Sequence, residues 1–359
     1  MNSKWEIEFG AIAKEWQMAE LAAVFTMPCG LDETTCSEVF SLPEKINIAA
    51  QRLCVPELSL QRFVGAWVDQ GLLKIIDCSK FQNCHNFSKD VLCPNEFLAE
   101  NNPNTSNEKL RAEYWTNVTQ KLLNKDRLLF ALKENFSQWK YGQNIDISEV
   151  FELYKSDSYW PQLFGRMFAL SNEESDIESL KYIQKNQPKS VADVGGGIGA
   201  FATRARLIMG AEMEIDIFEL PEAFEVFSDE YKAMEEIKIG HISLNFWTEV
   251  NFSFKKYNAV HLGWILHDWD DNKCKQVIVA CRNLLSREGR LYISEALLNE
   301  DGITGPASFS NVLMLAMANG KERSLEEYRK LLSSARFQIS NVISRKSGRS
   351  LIEATHYGL

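Results

Sequence analysis

"VADVGGGIGAFATRA", residues 191–205, decides how the rest of the chain is read. A small apolar run leads into Asp193, glycines follow at 195, 196, 197 and 199, and helix-forming residues begin at Ala200. Glycine populates positive φ without a Cβ clash, so this spacing predicts a strand, a tight turn against which a ligand can lie, and a helix. An acid inside that turn would repel the pyrophosphate of a dinucleotide and attract a cation. The next apolar run, "MEIDIFEL" at 213–220, ends in Glu219, where a carboxylate can accept two hydrogen bonds from a ribose diol. Dinucleotide binding is the competing reading of the loop.

Outward from the loop the pattern continues. "YNAVHLGWIL" (257–266) and "LYISEAL" (291–297) are further short β-rich runs separated by helical stretches. Such alternation specifies a mostly parallel sheet with helices on both faces, an α/β fold. "FQISNVISRKSGRSLIEATHY" (337–357) adds a hairpin around Lys346-Ser347-Gly348-Arg349, and Ser324 with Glu327 forms a capping box.

Upstream, "PEKINIAAQRLCVPELSLQRFVGAWVDQGLLKI" (43–75) places Leu60, Phe63, Val64 and Trp67 on one helical face, with Gly71 ending the helix before a strand at Leu72. That is the rhythm of a winged helix. Its "ELSLQRFVGAWVDQ" carries one arginine against two acids, so packing or dimerisation is expected rather than nucleic-acid binding. "PNEFLAENNPN" (94–104) reads as a linker or lid. The aromatic-rich 156–175 segment offers Tyr159, Trp160, Phe164, Met167 and Phe168 as pocket or core residues. The expected domains are 1–105 (winged-helix-like, dimerising), 106–185 (helical linker and substrate-pocket segment) and 186–359 (ligand-binding α/β domain).

The 359 residues suffice for two domains, and 45% apolar with 25% charged residues is a globular balance. A formal charge of -10 argues against general phosphate-backbone binding, and no apolar run is long enough for a membrane span. With no secretory-type start, a cytoplasmic protein is expected. Six of the eight cysteines lie in the first hundred residues, but the Cys78 to Cys84 gap is too wide for a zinc knuckle, so reduced, mostly buried thiols and no metal are expected.

"GWILHDWDDNKCK" (263–275) breaks from strand to polar at His267. Open α/β sheets bind ligands at the carboxyl ends of their strands, so His267 is a candidate general base. His85, His241, His261 and His356 lack such a setting. A carboxylate on the other ring nitrogen would fix the tautomer, and Glu295 and Glu322 are placed to supply it. Asp268, Asp270 and Asp271 read as caps of an amphipathic helix that buries Cys274, Val277, Ile278, Cys281 and Leu285, rather than as metal ligands.

"DVGGGIG", "FELP", "LHDWDDNKC", "SEALL" and "GKERSLEEY", in this order, resemble the small-molecule O-methyltransferases of the caffeate/hydroxyindole type. The strong motifs span 190–337. The resemblance implies a Rossmann-like methyltransferase domain behind a winged-helix dimerisation domain, S-adenosylmethionine as cofactor, a homodimer, and transfer to a hydroxyl of an aromatic small molecule in secondary metabolism. It puts the cofactor contacts on Asp193, Gly195, Gly197 and Glu219, the adenine contact on Asn245 with Phe246 as stacking neighbour, and the catalytic histidine and its glutamates on His267, Glu295 and Glu322. Trp264 matches the substrate-side tryptophan. A lysine that the family often has four residues before the histidine is here Gly263, and the region of Trp160, Met167 and Phe168 departs from the family's pattern. An N- or C-methyltransferase, or a non-catalytic winged-helix sensor of a metabolite, is the alternative.

Overall fold

The computed structural model describes residues 46–69, 110, 125–135, 159–245, 255–318, 320–344 and 349–357. Two compact units divide the chain: 1–144 with 301–319, and 145–300 with 320–359.

In the first unit, helices α1 (Ile46–Leu53), α2 (Glu57–Asp69) and α3 (Lys125–Glu134) are described. Leu60, Phe63, Val64 and Trp67 are buried as the helical spacing predicts, and Ser59 Oγ donates to the Leu132 carbonyl at 2.8 Å, tying α2 to α3. Gly65 passes so close to Ile303 that a Cβ would sit 2.1 Å from its carbonyl oxygen. The expected Gly71 stop, the strand after it and the 94–104 linker lie outside the described residues. Of the described cysteines Cys274 and Cys281 are buried, and Cys54, in the turn after α1 at φ +58°, is exposed.

Among the described residues the second unit holds a seven-stranded sheet and a separate two-stranded one. After helices α4 (Tyr159–Ser171) and α5 (Glu173–Gln184) come β1 (Ser190–Val194), α6 (Ala200–Met209), β2 (Glu214–Glu219), α7 (Pro221–Val226), α8 (Ser228–Glu235), β3 (Ile239–Ser243) and β4 (Tyr257–Gly263). A 3-10 turn at Leu266–Asp268 leads to α9 (Asp271–Leu284) and β5 (Leu285–Glu295). Strands β6 (Leu297–Leu298) and β7 (Arg323–Ser324) flank α10 (Ser308–Met317), which belongs to the first unit; α11 (Leu325–Ser334), β8 (Phe337–Ile343) and β9 (Ser350–His356) complete the chain. The order is β3-β2-β1-β4-β5-β9-β8, with β9 antiparallel to both neighbours and the other pairs parallel. The fold is mixed α/β with a mostly parallel sheet, as the alternation predicts.

Strand residues alternate between two cores. Ala192, Val194, Val260 and Leu262 pack toward α9 and α11, whereas Val191, Ile215, Ile217 and Ala259 pack with α5, α6 and α8. Asp193 and His261 therefore face the α6 side. The helix after His267 buries Cys274, Val277, Ile278 and Cys281 as expected, but Leu285 is already the first residue of β5. Asp270 is its N-cap, accepting from the amides of Asn272 and Lys273, and the Ser324–Glu327 capping box opens α11. No described helix is long and apolar enough to cross a membrane.

Candidate active site

The strand order reverses between β1 and β4, and the crevice beyond their carboxyl ends is where open α/β sheets bind ligands. Both segments singled out in the sequence end there. Gly195, Gly197 and Gly199 have φ of +71°, +52° and +77°, so the loop needs glycine at all three. At Gly195 a Cβ would lie 2.2 Å from Ile265 Cδ1: the absent side chain lets the glycine loop pack on the turn after β4. At Gly197 a Cβ would meet nothing within 4 Å, so that face of the loop is open to a ligand. Tyr231 Oη donates to the Gly197 carbonyl at 2.7 Å and fixes the loop from α8.

Glu219 ends β2 beside this loop. Its carboxylate accepts from the Gly197 amide through Oε2 and from the Leu220 amide through Oε1, both at 2.9 Å, leaving a lone pair on each oxygen. Burial raises its carboxyl above the ordinary range, against the two N–H donors. Asp193 is buried and its Oδ1 lies 2.9 Å from His261 Nδ1, while Oδ2 has no partner. Open space at Gly197, a free buried carboxylate oxygen at Asp193 and the Glu219 carboxylate at the next strand end fit a ligand with a cationic end and a diol. Asn245 sits two residues past β3 on the same edge of the sheet; Phe246 lies outside the described residues.

The second half of the site hangs from β4. His267 is buried in the 3-10 turn, with Nδ1 2.9 Å from Glu322 Oε1 and Nε2 3.6 Å from Asp268 Oδ1. Glu322 arrives there because β7 pairs with β6 immediately beyond β5, so two glutamates distant in sequence converge. Glu295 takes a different part from the one expected: its Oε1 accepts from the amides of Ile265 (3.0 Å) and Leu266 (2.8 Å), anchoring the turn that carries the histidine. Burial opposes the imidazolium, but Glu322, Asp268 and Glu295 outweigh it and raise His267 to about 10. Burial raises Glu295 to about 7 against the pull of His267. Ligand atoms of His267, Glu295 and Glu322 lie within 4.8 Å of one another, a spacing that would admit a metal ion. His267 Nδ1 and Glu295 Oε1 are, however, already engaged in hydrogen bonds.

Trp264 occupies a left-handed conformation, φ +58°, which costs a non-glycine residue about 1–2 kcal/mol. Its indole N–H donates to Asn172 Oδ1 at 3.0 Å, the Arg349 guanidinium lies 6.0 Å from its ring, and its ring centroid is 4.6 Å from that of His267. Asn172 precedes α5 without capping it, since its side chain holds the tryptophan instead. On α4, Met167 is buried, Phe168 is exposed and Phe164 stacks on Phe168 at 6.0 Å. The Trp160 side chain lies outside the described residues.

Two residues of this site were missed in the sequence. His261, set aside there, is paired with Asp193 because the β1–β4 register places the two directly opposite. Arg323 is fully buried and donates to the carbonyls of Leu266 (2.7 Å) and Trp269 (2.8 Å) and to Asp271. Only the "GKERS" motif hinted at it. Gly320 opens that motif: a Cβ there would fall 1.9 Å from the His267 carbonyl oxygen and 2.5 Å from the Asp268 carbonyl carbon, both backbone. Gly320→Ala is expected to lower stability by about 1–3 kcal/mol and to reduce turnover by shifting the turn. Thermal melting alongside turnover checks this; an unchanged melting point and rate would refute it.

Residues 126–338 match the family model described as an O-methyltransferase domain. The acetylserotonin O-methyltransferase of Gallus gallus is 25% identical over 311 residues, 86% of this chain and 85% of its own. The isoflavone 7-O-methyltransferase of Glycyrrhiza echinata is 31% identical over 240 residues, 64% of this chain and 59% of its own. Among solved structures, human N-acetylserotonin methyltransferase in complex with SAM superposes with a TM-score of 0.61 at 18% identity, over 100% of this chain and 99% of that one. That likeness is one of fold.

Proposed function

Because the chain belongs to the O-methyltransferase domain family, we propose that it transfers a methyl group to a hydroxyl of an aromatic small molecule, with His267 as general base. S-adenosylmethionine is the methyl donor, and when bound it supplies a methyl group on a cationic sulfur that leaves neutral. The glycine loop and Glu219 hold it, through backbone approach at Gly197 and the carboxylate lone pairs at the end of β2.

The observation that carries the reading is His267 against Glu322. A ring with its proton on Nδ1, given to Glu322 Oε1, keeps the Nε2 lone pair for a substrate proton. As the acceptor oxygen bonds to the methyl carbon, Nε2 takes the hydroxyl proton and Glu322 stabilises the imidazolium that results. A phenol titrates near 10, so the neutral ring, its pKa raised toward the same range, takes the proton with little penalty, whereas below that range most rings are already imidazolium and must first lose a proton. Trp264 beside the imidazole offers a flat apolar wall for an aromatic acceptor. Relatives named for isoflavone and acetylserotonin substrates support an aromatic acceptor class.

The test is a methyl-transfer screen with S-adenosylmethionine over phenols and matched anilines. Methylation of phenols, and of the anilines much more slowly, is the expected result. Equal or faster transfer to the amines would replace the reading with an N-methyltransferase, and binding of donor without transfer to any acceptor would favour a sensor.

A further inference from the structure

We propose that His261 is a positioning residue of the methyl-donor site: it holds Asp193 by one carboxylate oxygen so that the other is presented, beneath the glycine loop, to the ammonium group of S-adenosylmethionine. The inference rests on the identity of the donor and is independent of the acceptor.

Asp193 and His261 are register partners on adjacent parallel strands, both facing α6, and their side chains meet at 2.9 Å. Phe201, one residue into α6, stacks on the imidazole at 3.6 Å between centroids and 6° between planes. Phe201 covers one face of the ring and restrains its rotation, and with it the direction of the carboxylate that the ring holds. Asp193 Oδ2 points under the loop: a Cβ on Gly196 would come within 2.8 Å of it. It is buried and has no partner, as is His261 Nε2. Buried polar atoms are overwhelmingly paired, and an ionised carboxylate with an idle oxygen is costly unless something cationic uses it.

Gly263 makes the arrangement possible. A Cβ there would lie 2.8 Å from His261 Cε1 and 2.8 Å from Arg349 Nη1, so ring and guanidinium border one space that any side chain would fill. The family's lysine at this position is incompatible with that packing. Arg349 is ion-paired with Asp176, which also binds Arg204 at 2.8 Å, so the guanidinium is held in place. The tautomer with its proton on Nδ1 is the one that donates to Asp193 Oδ1.

The test compares two ligands by calorimetric titration: S-adenosylhomocysteine, which carries the amino-acid end, and 5′-methylthioadenosine, which lacks it. His261→Phe keeps an aromatic ring on Phe201 but removes the donor; His261→Asn returns an amide N–H. The Phe variant should bind S-adenosylhomocysteine about 10- to 100-fold more weakly and methylthioadenosine within about twofold of wild type, and the Asn variant should recover much of the loss. Adding His261→Phe to Asp193→Asn should weaken binding no further. Equal weakening toward both ligands would reduce His261 to a structural role, and unchanged affinity for S-adenosylhomocysteine would overturn the proposal. Should the Phe variant not fold, His261→Leu, which also removes the donor, carries the same comparison, alone and combined with Asp193→Asn. Wild-type protein that binds neither ligand would overturn the donor assignment along with it.

Discussion

His267→Ala is expected to lower kcat on a phenolic acceptor by about 10²- to 10⁴-fold while leaving affinity for the methyl donor unchanged. The imidazole lies on the β4 turn, with its Nδ1 on Glu322, and the glycine loop and Glu219 do not depend on it. The pH dependence gives a sharper check. His267 acts as a base only when neutral, and the neighbouring carboxylates raise its pKa to about 10. kcat/KM in the free enzyme should therefore climb with pH well past 6.5, the ordinary histidine value. Removing the negative charge by Glu322→Gln lowers the pKa, so the acid limb should move to lower pH while the plateau falls, because the imidazolium formed in the transition state loses its partner. Since the groups titrate together, the limb belongs to the cluster rather than to one residue. A limb near 6.5 in wild type, or one that does not move in the Gln variant, would contradict the coupling. Alanine turnover within threefold of wild type, about 0.65 kcal/mol, would remove His267 from the chemistry.

What the sequence disclosed depended on how far apart the interacting groups are. The glycine loop was legible because three positive-φ positions demand glycine, and a run of glycines directly after a strand marks a tight turn. His267 was legible because a strand that stops in a polar cluster marks the carboxyl edge of the sheet. The convergence of Glu295 and Glu322 was legible only in part: both stand as candidate partners of the histidine, one at a strand end and one before a capped helix, but their meeting depends on β6 pairing with β7, far apart in the chain. Even then their parts differ, one holding backbone amides and the other the imidazole. Trp264 gave no sign of its left-handed backbone, since the residues that advertise that conformation are glycine, asparagine and aspartate. His261 reads as one more residue of an apolar strand until the β1–β4 register sets it against Asp193.

Arg323 shows how the turn is held and yields the second large effect. Glu295 takes the amides of Ile265 and Leu266, and Arg323 takes the carbonyls of Leu266 and Trp269, so an acid and a base grip the same turn by opposite ends of its peptides. A guanidinium suits this because its planar fork presents five donors in fixed directions, and here Asp271 receives both Nε and Nη2. Arg323→Ala takes the charged donor from the Leu266 and Trp269 carbonyls, which keep the weak Cys274 thiol, and leaves Asp271 to the more distant Lys321, a loss of about 3 kcal/mol, or about 10 °C in melting temperature for a unit of this size. Arg323→Lys keeps the charge but can serve only part of the set. The lysine variant should therefore fold with a smaller loss of stability, bind S-adenosylhomocysteine normally and show a fall in kcat larger than any change in KM, because the misplaced group is the proposed base. A lysine variant with wild-type kcat would mean that the turn finds its geometry from Glu295 alone.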